Sequence, residues 1–143
     1  MSSAKLYTPE LLGLAVELAR HPLDPSLPHV GEARSTACGS TLMVGLALDP
    51  AGNVERIGLR ARACAVGQAA AAIFARHAPG RDAAQIDAAH LATQAWLEGE
   101  GALPDWPDLA LIEPARAFPA RHGAILLPWK AAACALSTVP AAR

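Results

Sequence analysis

The sequence predicts an α+β fold, a small antiparallel β-sheet with helices packed on one face, in a single domain over residues 1–143. Three observations carry this. Residues 41–62 alternate as two strands about one turn. Apolar residues recur at helical spacing before and after that hairpin. No repeat, low-complexity tract or second-domain signal interrupts the chain. At 143 residues with 52% hydrophobic content, it can bury a real core.

The elements follow in order. Thr8-Pro9-Glu10 reads as an N-cap followed by proline at the first helical position. Leu11, Leu12, Leu14, Ala15, Leu18 and Ala19 then continue a helix to about Arg20. A proline-rich connector covers residues 22–28, and a short extended stretch leads to Cys38. In residues 41–48, Leu42, Val44, Leu46 and Leu48 share one face at the period of two expected of a half-buried strand. Asp49-Pro50-Ala51-Gly52-Asn53 is a cluster of turn formers. The return strand, residues 54–62, puts Ile57, Leu59 and Ala61 on one face. Arg56, Arg60 and Arg62 take the other, read as a solvated face.

Val66, Ala69, Ala70, Ile73, Phe74 and His77 predict a helix starting just after Cys64 and ending near Pro79-Gly80. A third helix spans residues 82–98, with Ile86, Ala89, Leu91 and Trp96 inward. Gly99, Gly101 and Pro104 break it. A short helix covers residues 107–115. The last runs over residues 119–136, with Ile125, Leu126, Trp129, Ala133 and Leu136 inward. Pro128 inside it predicts a kink or a later start.

Composition excludes some functions. A net charge of -1 and a pI near 6.5 give no electrostatic reason to expect nucleic acid or an anionic membrane as partner. No apolar run reaches the ~18 residues that would span a bilayer. Met1 to Leu6 lacks a signal-peptide apolar core, so the expected location is cytoplasmic. Three cysteines without a secretory signal are expected to be reduced thiols.

Two of them flank the hairpin. With Leu48 opposite Val54, an unbroken register sets Cys38 opposite Cys64, and such Cα pairs lie roughly 4.5–5.5 Å apart. A single bulge shifts that pairing by one residue. Cys64 precedes a helix, where unpaired N–H groups and the dipole favour a thiolate, and Arg62 pushes the same way. Such a pair suits zinc or iron, though each cysteine can also be simply buried. The candidate third donor is His122, equally readable as a surface histidine; Ser40 and Glu113 are weaker candidates. Cys134 reads as packing, and His21, His29, His77 and His90 share no spacing that makes a site. No nucleophile–base–acid set or phosphate loop appears, so the chain does not read as an enzyme.

Ala37-Cys38-Gly39-Ser40 precedes a hairpin, and Ala63-Cys64-Ala65-Val66-Gly67-Gln68-Ala69 opens a helix. Phe118-Pro119-Ala120-Arg121 precedes a helix bearing Trp129. In this combination, over residues 8–138, the chain resembles the iron–sulfur cluster assembly scaffolds of the NifU N-terminal, IscU and SufU type. The resemblance implies a compact α+β domain that assembles a [2Fe–2S] cluster on three cysteines, or binds iron or zinc there. It implies sulfur from a cysteine desulfurase and iron–sulfur acceptor proteins as recipients, in some systems with chaperone help. A homo-oligomer would let a second chain complete the site.

The departures are specific. Ser40 stands where the family commonly has aspartate after Cys-Gly. The third family cysteine falls on Ala124 in an ungapped alignment, or on Gly123 when His122 is matched to the histidine before it. Cys134 lies about 15 Å further along a helix. The Leu-Pro-Pro-Val-Lys chaperone motif is missing. The leading reading is therefore a divergent scaffold holding its cargo through Cys38, Cys64 and His122. The alternatives are a site-degenerate module that binds a desulfurase or assembly partner, and a Cys38–Cys64 thiol redox protein.

Overall fold

The computed structural model describes residues 6–138. The signal-peptide reading of Met1 to Lys5 lies outside them. Helix α1 (Pro9–Glu17) tightens into a 3₁₀ turn, Leu18–Arg20. Strands β1 (His29–Arg34), β2 (Thr41–Leu48) and β3 (Val54–Arg62) follow, then α2 (Ala65–His77) and α3 (Ala83–Leu97). Two 3₁₀ segments, Leu109–Ala117 and Pro119–Arg121, lead into α4 (His122–Leu136).

Local chemistry explains the helix starts. The Leu11 N–H donates to Thr8 Oγ1 at 3.1 Å, with Pro9 at the first helical position. Asp82 and Gln85 form a reciprocal capping box at α3. Pro119 opens a 3₁₀ turn, so α4 starts three residues later than the apolar pattern predicts and carries Pro128 internally. The short helix predicted over residues 107–115 is instead the 3₁₀ segment Leu109–Ala117, which includes Pro114.

The sheet is an antiparallel meander in the order β1-β2-β3. The stretch before Cys38 is thus a paired strand, with Arg34 opposite Thr41. In β2–β3, Leu48 pairs with Val54 as expected, but a bulge follows and Ala47 pairs with Arg56. Thr41 consequently faces Arg62, and Cys38 is not opposite Cys64 in any ladder. Cys38 lies instead in the turn between β1 and β2, closed by Ser35 N–H to Ser40 C=O at 2.8 Å and Gly39 N–H to Ser35 C=O at 2.9 Å. The correction has two physical reasons: one extra residue on β3 shifts every pair beyond it by one, and the ladder ends at Thr41–Arg62 because residues 35–40 close into the turn.

Leu42, Val44 and Leu46 are buried on the face covered by α4 and α2. Helix α2 runs through the centre, and its run Ala69–Ala72 lets neighbouring backbones come close. Phe74, Trp106 and Trp129 form an aromatic triangle with centroids 5.3, 5.4 and 5.3 Å apart, one pair stacked and two edge-on. The Trp106 indole N–H donates to the Ile73 carbonyl at 3.2 Å, and the Arg81 guanidinium lies 4.0 Å over its ring.

Two packing expectations are corrected. Leu91 is 65% exposed, because α3 leans chiefly on α4 and shows it only the stripe of Ile86, Thr93, Trp96 and Leu97. Cys134 is exposed rather than packed, one step round α4 from the inward stripe of Ala131, Ala132 and Ala135.

Candidate functional site

Cys38 and Cys64 are delivered by two different elements. Cys38 sits at the exposed tip of the β1–β2 turn. Cys64 is the extended N-cap residue of α2, half-buried, with φ −64° and ψ 169°. Its thiol caps no N–H; the Gln68 amide donates to the Ala63 carbonyl at 2.8 Å and pins the helix start.

The start of α4 touches both segments. A Cβ on Gly123 would collide with the Ser35 hydroxyl of the Cys38 turn. A Cβ on Gly67, one turn into α2, would lie 3.2 Å from the Ala124 methyl and 2.8 Å from that of Ala63. Gly123 and Ala124, the positions singled out by the resemblance, thus bridge the turn that bears Cys38 and the helix that Cys64 caps. Glycine at 67 and 123 is what lets the three backbones close up.

Around Cys38 the sequence supplies hydroxyls. Its Sγ lies 3.4 Å from Ser35 Oγ and 3.0 Å from Ser40 Oγ. Both serines are buried, at 5% and 6% exposure. Ser35 and then Ser40 hold the Cys38 thiol below its ordinary value against partial burial, and the Arg121 guanidinium adds a weaker pull in that direction. The thiol S–H donates to Ser35 Oγ; once it ionises both serine hydroxyls can donate to the sulfur, and those bonds, with the nearby cation, favour the thiolate.

His122 opens α4 with its Nε2 3.0 Å from the Arg116 carbonyl. A carbonyl only accepts, so Nε2 carries the proton and Nδ1 keeps the lone pair. Among the described residues, no three of His, Cys, Asp or Glu are grouped to hold one metal ion. Glu113 lies exposed on the 3₁₀ segment, and Ser40 contacts Cys38 directly. The arginines 56, 60 and 62 are exposed, as read from the sequence. His77 belongs to a separate surface network, 2.7 Å from Asp108, which also pairs with Arg76 at 3.1 Å; Arg76 in turn pairs with Glu17.

Ser35, Arg121 and the Gly67–Ala124 contact escaped the sequence reading. Only Ser35 left a signal, a hydroxyl three residues before Cys38, and it becomes meaningful once residues 35–40 are seen to form a tight turn.

No protein-family model matches the sequence, and no curated protein matches it. Among solved structures, the chain is similar to a nitrogen-fixing NifU-like protein (N-terminal) from Brucella abortus. The two share 30% identity over 92% of each chain, with a TM-score of 0.83. It also superposes with a TM-score of 0.83 on a protein described as an iron–sulfur cluster assembly scaffold for the SUF system, from the thermophile Fervidobacterium islandicum AW-1. That match covers 94% of this chain and 99% of the other at 17% identity, a likeness of fold. Among the described residues no helix is long and apolar enough to cross a membrane.

Proposed function

The chain belongs to the NifU-like (N-terminal) family, and from that membership we propose that it is an iron–sulfur cluster assembly scaffold, a carrier and not an enzyme. Its cargo is iron, a [2Fe–2S] cluster or zinc, held through Cys38, Cys64 and His122. The observation that carries this is the contact of the α4 start with both cysteine-bearing segments, through Ser35–Gly123 and Gly67–Ala124.

The donors fit a soft or borderline ion. Cys38 is biased toward thiolate by two hydroxyls, Cys64 stands at a helix N-terminus, and His122 offers Nδ1 because its Nε2 is committed to a backbone carbonyl. That carbonyl contact is the usual way a ligating histidine is oriented. Ser35 and Ser40 act on Cys38, lowering its pKa and so favouring the ligating thiolate, and do not themselves replace a carboxylate ligand. The three donors are not gathered at one point in the free chain, so loading draws them together. A tetrahedral ion on three protein ligands keeps a fourth position open, through which an acceptor's thiolate can enter. A cysteine desulfurase as sulfur source and iron–sulfur proteins as acceptors follow from this role, as does a second copy of the chain as an extra ligand donor.

The test is anaerobic reconstitution with ferrous iron and sulfide, followed by visible absorbance. The wild type should develop charge-transfer bands that Cys64→Ala lacks. Identical featureless spectra for both, with neither iron nor zinc retained by the wild type after desalting, would sink the proposal. The exposure and lowered pKa of Cys38 also favour a second reading, a reversible Cys38–Cys64 disulfide. It predicts the loss of two free thiols on mild oxidation, and an unchanged thiol count removes it.

A further inference from the structure

The face of the sheet turned away from α2 and α4 is only half covered. Leu23 and Leu27 of the connector pack over Gly45, and the Pro22 carbonyl lies against Gly58. Toward the Cys38 turn the face is open. There Arg34, Thr41 and Arg62 form one cross-strand row, and Glu32, Met43 and Arg60 the next. These six line an open cavity of about 460 Å³, with Gly39, the neighbour of Cys38, at its border.

The charge of this half-face is unbalanced. Three guanidiniums stand against the single carboxylate of Glu32, in a chain whose net charge is -1. All four side chains are exposed, and among the described residues none of them is in an ion pair. Alternate residues on a strand are roughly 6.6 Å apart and neighbouring strands about 4.8 Å. Arg60 and Arg62, alternate residues on β3, thus lie within the ~8 Å screening length at physiological salt, so repulsion between these two persists until an anion joins them; Arg34, two strands away, adds to the positive charge of the face.

We propose that this half of the sheet is a docking face for an extended acidic segment of a partner protein, seated beside Cys38. Carboxylates at alternate positions of an extended chain repeat at the same roughly 6.6 Å as Arg60 and Arg62, and guanidinium pairs with carboxylate in a two-point fork. Met43, half-buried between Glu32 and Arg60 in its row, gives the segment an apolar floor. A single small anion could not meet Arg34 and Arg62 together without drawing their side chains across the two strand spacings between them, about 10 Å. This docking goes beyond the scaffold reading and needs no cargo.

The probe is a fluorescent decapeptide of alternating glutamate and serine, followed by anisotropy at low and physiological salt. Saturable binding that weakens with salt is expected, with affinity lowered about tenfold or more in Arg60→Glu/Arg62→Glu. Arg20→Glu/Lys130→Glu makes the same charge change at exposed sites elsewhere and should bind within about twofold of wild type. In the wild type the bound peptide should also slow alkylation of Cys38, a readout independent of any variant's folding. The Cys38→Ala/Cys64→Ala protein should bind the peptide unchanged, which separates this proposal from the cargo reading. Absence of saturable binding, equal weakening in both charge variants, displacement by equimolar inorganic phosphate, or no protection of Cys38 would each overturn it.

Discussion

The Ser35 hydroxyl stands where a side chain on residue 123 would have to go, so Gly123 and the Cys38 turn share one space. This close approach, with the Gly67–Ala124 contact, joins two parts of the sequence to the start of α4.

The first prediction concerns that space. Gly123→Ala forces Ser35 or the α4 start to move, at a cost of about 1–3 kcal/mol by overpacking. Thermal unfolding should show the loss. Because Ser35 is displaced from the Cys38 sulfur, alkylation of Cys38 at neutral pH should slow in the same variant.

A second prediction isolates the hydroxyls. They lower the Cys38 pKa, so the thiolate is present at lower pH than for an ordinary thiol. Removing them in Ser35→Ala/Ser40→Ala should move the pH profile of alkylation upward. At neutral pH the rate should fall by up to about tenfold, as expected for losing hydrogen bonds to a charged group. An unmoved profile would mean that the hydroxyls do not hold the thiolate.

The surface network gives a pH dependence of stability. Asp108 is lowered first by its hydrogen bond to His77 and then by Arg76, and Glu17 is lowered by Arg76. A depressed folded-state pKa stabilises above the ordinary carboxylate range, and that stability disappears as pH falls through the folded value. The wild type should thus lose more stability than Asp108→Asn on acidification below about pH 4. The difference should be at most about 1 kcal/mol, since these groups are partly exposed. Asparagine suits the left-handed backbone of residue 108, where φ is 73°, so the substitution removes charge with little backbone cost.

In the core, Trp106→Ala should cost about 3–5 kcal/mol, measurable by denaturant unfolding. It removes both aromatic contacts, the bond to the Ile73 carbonyl and the platform under Arg81.

Much of this architecture was legible in the residues. Alternation from Leu42 to Leu48, the Asp49–Asn53 turn formers and the cap at Thr8 each determine local structure by short-range chemistry. The role of Cys64 as the residue before a helix was legible for the same reason. What was not legible depends on pairing across the fold. The stretch before Cys38 reads as extended, but His29–Arg34 carries too little apolar alternation to announce its pairing with β2. The bulge between Ala47 and Leu48 leaves no mark in composition. Leu91 was misplaced because an alanine-rich helix presents several faces of similar polarity, and packing on α4 alone decides among them. At the site, the bond of His122 to the Arg116 carbonyl and the pull of Arg121 on Cys38 exist only after the 3₁₀ turns have formed.

Whether Cys38 and Cys64 hold an iron–sulfur or metal cargo is decided by elemental analysis of protein purified without oxygen, with acid-labile sulfide measured alongside. Iron with sulfide, or zinc, should be present at a stoichiometric level in the wild type and neither in Cys38→Ala/Cys64→Ala. Equal metal and sulfide content in the two proteins, or none in the wild type, would contradict such a cargo.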